Sequence, residues 1–80
     1  GLDYFREDLI CDWGLRKVEL AEMQPNDVLI FKVLANRNNH CGVYIGNDHF
    51  YHHANERLSC RENIYPLWHK YLTGAYRYDP

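Results

Sequence analysis

Four of the five histidines stand between His40 and His53, in the run HCGVYIGNDHFYHH, and one of three cysteines follows the first of them. Imidazole and thiol together support three chemistries: general acid–base work, nucleophilic catalysis and metal ligation. A nucleophilic reading requires a thiolate, an imidazole within hydrogen-bond reach of it, and a third polar group that fixes the imidazole tautomer. His40 with one residue of the His52/His53 pair could supply base and orienter on neighbouring strands. A lone histidine at a strand start is also a common partly buried structural residue.

His52 and His53 are adjacent, so on a strand their side chains leave opposite faces and only one can accompany His40. A two-residue turn at Asn47 and Asp48 puts His53 on the face of His40, whereas a three-residue loop centred on Gly46 puts His52 there. Turn rules alone do not choose. A zinc site would need His40 and His52 with Cys41 or Cys60, but Cys41 follows His40 directly and so points away, and the spacing matches no standard zinc pattern. No metal and no cofactor is therefore expected.

The elements that must hold these residues are legible as periodicity. Leu2, Phe5, Leu9 and Trp13 recur at helical spacing before Gly14, which predicts an amphipathic helix over roughly the first dozen residues. LRKVELAEMQPND reads as a short extended piece and a loop, turning at Pro25 and Asn26. DVLIFKVL, Asp27 to Leu34, is almost continuously apolar and predicts a central strand covered on both faces.

HCGVYIG and HFYHHA then form a hairpin, followed by a short strand around Arg57 to Cys60. Ile64, Leu67, Trp68, Tyr71 and Leu72 mark one face of a second helix, capped by Asn63, with Pro66 in its first turn and Gly74 as its stop. The tail AYRYD alternates and suits an edge strand. The fold class is α+β: an antiparallel β-sheet with an N-terminal helix and a helix near the C-terminus.

Eighty residues hold one small domain, and 46% hydrophobic residues with seven Tyr, three Phe and two Trp make it globular. A formal charge of −2 with interspersed signs leaves no basic stripe for nucleic acid. No apolar run reaches the length of a membrane span, so neither nucleic acid nor membrane is an expected partner. Cys11, Cys41 and Cys60 make neither a CxxC pair nor a dense framework, and reduced thiols are the default.

QPNDVLIF, then NHCGVYIGNDHFYHH, then RLSCREN together resemble the C-terminal half of the NlpC-type papain-like cysteine peptidases, in the branch found in the tail assembly proteins of lambda-like phages. The resemblance spans roughly Leu20 to Tyr78. In that family a (Q)PGD turn leads into an apolar strand, an H-x-G-x-Y-x-G strand follows, and a second His lies on its partner strand. Here these are Gln24 to Phe31, His40 to Gly46, and His52.

The resemblance implies that His40 is the catalytic base and His52 its orienter, with His53 on the other face. It further implies a papain-like half-domain, residues 1–80, whose parent cleaves peptide bonds in peptidoglycan. Asn26 replaces the glycine of the PGD turn, a mild change because Asn tolerates the left-handed conformation. The family nucleophile lies in a D-C-x-x-L segment opening a helix some tens of residues before that turn. The sequence before Pro25 is too short to hold it, and the start at Gly1 rather than Met fits a piece of a longer chain.

CDWGL echoes that segment, but Cys11 lies near the C-terminal end of the expected first helix, where the dipole raises a thiol pKa, and it reads as a helix-packing residue. Cys41 and Cys60 read as small buried hydrophobes or quiet surface thiols. The isolated piece is expected to be inactive. Its expected partners are the missing N-terminal half of the domain, peptidoglycan peptide, other phage tail proteins, and a second copy of the chain covering a bare apolar face. The expected place is the phage tail, or the bacterial cytoplasm for a prophage product, with action at the cell wall. The non-catalytic alternative is a structural or interaction module of a phage tail tip.

Overall fold

The computed structural model describes residues 7–33, 40–53 and 59–78. Six strands form one sheet: β1 (Leu15–Val18), β2 (Val28–Phe31), β3 (His40–Gly46), β4 (His49–His53), β5 (Ser59–Asn63) and β6 (Leu72–Tyr78). Their order is β1-β6-β2-β3-β4-β5, and each neighbouring pair is antiparallel. A short helix, α1 (Glu7–Asp12), precedes them, and single 3-10 turns occupy Leu20–Glu22 and Trp68–Lys70.

The apolar run at Val28 becomes an interior strand because both its faces are covered. Leu29 and Phe31 enter a cluster with Val18, Tyr44, Phe50, Ile64 and Ala75, and Ile30 enters a second with Ile10 and Tyr76. The first cluster lies on the face that carries His40, and α1 closes the second through Ile10. No polar side chain interrupts either layer of β2, so each residue contributes to a core. Strand pairing ends at Phe31, shorter than the Asp27 to Leu34 expected, and Leu34 lies outside the described residues.

The turn before β2 is fixed by Asp27, which is 1% exposed. Its carboxylate accepts from Arg77 Nε at 2.8 Å, from Arg77 NH2 at 2.9 Å and from the Gln24 amide at 2.8 Å. These contacts join the turn to β6, and the Arg77 hydrogen bond is the chief reason the Asp27 pKa lies below its usual value. Asn26 has φ 81°, the left-handed conformation its side chain tolerates. Its amide donates to the Tyr44 carbonyl at 2.8 Å, which locks the turn to β3.

Three expectations change. The helix near the C-terminus is not formed: Ile64 is buried in a turn, Leu67 is 52% exposed, and only Trp68–Lys70 makes one 3-10 turn before β6 begins. Pro66 supplies no amide and disfavours helical geometry at Tyr65, while Leu72–Tyr78 gains ladder partners on two sides. For the same reason the tail is an interior strand, held between β1 and β2, and not an edge. In α1 Ile10 is buried, while Trp13 just beyond it is 55% exposed and Leu2 and Phe5 lie outside the described residues.

The bare apolar face also takes a different form. Leu29, Phe31 and Phe50 on the His40 face are fully buried, with Met23, Trp68, Tyr71 and Leu72 packed against them. Exposed apolar side chains include Val43 and Tyr51, cross-strand partners on the opposite face. No helix among the described residues is long and apolar enough to cross a membrane.

Candidate active site

The β3–β4 hairpin combines both turn geometries that the sequence leaves open. Asn47 and Asp48 form the tip with φ of 52° and 61°, and Gly46 precedes them at 93°. Register shifts between Tyr44 and Gly46, so Tyr44 faces Phe50 while Gly46 faces His49. The residue absorbed by this bulge moves β4 by one position, and that carries His52 to the face of His40. Tyr44 supports the tip, its hydroxyl accepting from the Asp48 amide at 3.1 Å.

Gly42 explains the middle of the H-x-G-x-Y-x-G pattern. A β-carbon there would stand 2.8 Å from the Tyr51 carbonyl oxygen, 2.9 Å from the Phe50 ring and 3.4 Å from the His52 β-carbon. The missing side chain lets β4 approach, and His40 Nε2 and His52 Nδ1 meet at 2.8 Å. On its other side, His52 Nε2 bonds the carboxylate of Glu62. Glu62 reaches it from β5, where it pairs with Phe50, one alternation from the His52–Cys60 pair.

These contacts assign the ring protons. A carboxylate oxygen accepts, so His52 Nε2 carries a proton and His52 Nδ1 accepts from His40 Nε2–H. The remaining nitrogen of His40, Nδ1, is then a bare lone pair. A proton taken up there is stabilised through His52 by the Glu62 charge, the arrangement that a general base requires.

Aromatic rings enclose the pair. Trp68 stacks on His40 with centroids 5.6 Å apart at 25°, and meets His52 edge-on at 4.7 Å. Phe50 lies 4.8 Å from His52, and Phe31 lies 5.9 Å from His40. Burial lowers the His40 pKa below its ordinary value, and the adjacent His52 imidazole, which disfavours a second positive charge beside it, lowers it further against the opposing effect of Glu62. His40 is therefore kept neutral, and so able to accept a proton, at neutral pH.

The thiols divide differently. Cys11 is exposed on α1, on the sheet face away from His40, and is not the packing residue expected. Cys41 is also exposed and points away from His40, as alternation requires; its desolvation by flanking atoms raises the thiol pKa. Cys60 is half-buried with Sγ 3.6 Å from His52 Nε2, beside the pair with which the sequence analysis weighed it only as a zinc ligand. Among the described residues no thiol lies within hydrogen-bond reach of His40.

Glu62 and Trp68 were missed by sequence reasoning. Placing Glu62 needs the β4–β5 register, and the sequence between these strands carries no turn signature that would fix it. Trp68 falls on an apparently regular helical stripe and so reads as plain core.

A sheet with two histidines in series on its central hairpin, entered through a Pro-Asn-Asp turn, defines a class. The model of the NlpC/P60 family matches residues 10–77, and the chain belongs to that family. Tail tip assembly protein K of Escherichia phage lambda is 31% identical over 91 residues, covering 95% of this chain and 44% of that protein. The chain thus spans less than half the length of this relative. The crystal structure of a lipoprotein-like NLP/P60 protein from Staphylococcus aureus shares the fold, with a TM-score of 0.69 at 21% identity over 84% of this chain and 23% of that one.

Proposed function

We propose that this chain is the base-and-orienter portion of a cysteine peptidase domain that cuts peptide bonds of the bacterial cell wall, carried by a phage tail tip protein. The observation behind this reading is the series His40–His52–Glu62, which leaves His40 Nδ1 unprotonated in an aromatic enclosure. The thiol it serves is assigned to a segment outside these eighty residues, as the family resemblance implies. His40 takes the thiol proton at Nδ1, and the thiolate attacks the peptide carbonyl. His40 then returns the proton to the departing amine as the C–N bond breaks, and water releases the thioester acyl group. Alone, the chain is inactive. The relative's role in tail tip assembly supports neighbouring tail proteins as partners and the virion tail as the location.

The test is digestion of purified peptidoglycan by the full-length protein, followed as newly released amino groups. His40→Ala is expected to abolish release. Undiminished release would overturn the assignment.

A second reading, a structural module of the tail tip with vestigial histidines, is favoured by one observation: among the described residues no thiol reaches His40. A full-length sequence without cysteine upstream of Gly1 would select it. An Asp-Cys pair opening a helix there selects the enzyme.

A further inference from the structure

The strands bring together a second constellation on the far side of His52. His52 Nε2, Cys60 Sγ and a Glu62 carboxylate oxygen all lie within 4.8 Å of one another. Nitrogen, thiol sulfur and carboxylate oxygen are the donor types that zinc takes, and tetrahedral bonds of about 2.0 Å to nitrogen and 2.3 Å to sulfur separate these two donors by about 3.5 Å. The separation found is 3.6 Å. His52 and Cys60 are direct cross-strand partners, so the ladder itself sets this spacing. Only the carboxylate must withdraw slightly to admit an ion, and the Glu62 side chain is 34% exposed and free to do so. The His52 side chain is fully buried, and His40 holds its other nitrogen, the outer hydrogen bond that metal-binding histidines characteristically have.

We propose that His52, Cys60 and Glu62 form a site for a zinc-like divalent ion, with a fourth position open to water, and that the ion switches off His40 as a base. The switching follows from proton positions and rests on the reading of His40 given above. The ion takes the Nε2 lone pair of His52, and the proton formerly there is carried on Nδ1, which now donates to His40 Nε2. The His40 proton in turn moves from Nε2, which now accepts, to Nδ1, the atom that had been the bare acceptor. Both rings stay neutral with one proton each, and the Cys60 thiol proton leaves to solvent as the sulfur binds. The donor set uses neither Cys41 nor His40, the residues that would have been needed for a site on the β3–β4 hairpin alone.

The experiment is titration of the purified chain with cobalt(II) as a spectroscopic substitute for zinc. One equivalent is expected to produce a thiolate-to-metal band in the near ultraviolet and intense tetrahedral visible bands. Cys60→Ser should abolish the ultraviolet band, and Glu62→Gln should weaken binding at least tenfold. Cys11→Ser and Cys41→Ser should leave both unchanged. His40→Ala, which removes the outer hydrogen bond and leaves all three donors in place, should retain the band at saturation with affinity about 10–100-fold lower. This separates failure of the site from failure of the catalytic reading, since the band does not depend on any activity. Absence of the band, or its survival in Cys60→Ser, overturns the site. With zinc bound, nitrogen-15 spectra should show the His40 proton moved from Nε2 to Nδ1, and an unmoved proton overturns the switch.

Discussion

Gly42→Ala tests whether the close approach of β4 is what creates the histidine pair. In an ordinary strand alanine is favoured over glycine by about 0.5–1 kcal/mol. Here the new methyl would lie 2.8 Å from the Tyr51 carbonyl and 2.9 Å from the Phe50 ring, and restoring 3.4 Å requires the strands to part by about 0.6 Å. Overpacking of this kind costs about 1–3 kcal/mol, towards the upper end here because one obstacle is backbone. The net expectation is a loss of about 1–2 kcal/mol, which lowers the thermal midpoint by roughly 4–8 °C per kcal/mol in a domain of this size. The same displacement stretches the His40–His52 contact from 2.8 Å past the hydrogen-bonding range of about 3.2 Å. Thermal melts read the first effect, and solvent exchange of the His40 ring proton reads the second. A variant as stable as the parent, with that proton still protected, would refute the reasoning.

His40 should titrate below 6.5, its ordinary value, because burial penalises its charged form. The sign for stability follows: the contribution is fully present above 6.5 and is lost as pH falls from there through the folded pKa, since the unfolded chain takes up the proton first. Urea unfolding across this range should show the loss, and His40→Phe should remove that component of the slope. Asp27→Asn should cost on the order of 3 kcal/mol, the lower end for a broken buried ion pair, since Arg77 is 26% exposed and can rehydrate. Denaturation would measure it, and a loss under about 1 kcal/mol would deny the turn its role. Because Arg77 lowers the Asp27 pKa, the parent should also lose stability as pH falls below 3.8, and the variant should lack that component.

The parts of this fold that were legible in the sequence are those where local pattern and tertiary context agree. The apolar run at Val28, the Pro25–Asn26 turn and the two arms of the His40 hairpin each read correctly because burial, turn chemistry and alternation point the same way. Leu67, Trp68 and Tyr71 misled because helical spacing there competes with Pro66 and with the two ladders that recruit Leu72–Tyr78 into the sheet. The choice between His52 and His53 was not settled by local rules, since it turns on a single bulged residue before Gly46. Family resemblance chose His52, and the bulge gives the physical reason. Glu62 as the partner of His52, and Cys60 as its cross-strand neighbour, became visible only with the β4–β5 register, a pairing that no local pattern fixes.

The central claim is that His40 presents a bare Nδ1 because His52 and Glu62 order the ring protons. Long-range proton–nitrogen correlation spectra of the nitrogen-15-labelled chain at neutral pH report which ring nitrogen of each histidine is protonated. The account predicts protons on Nε2 of both His40 and His52, with Nδ1 of His40 unprotonated. A proton on His40 Nδ1 in the metal-free chain would contradict it, and with it the assignment of His40 as a base.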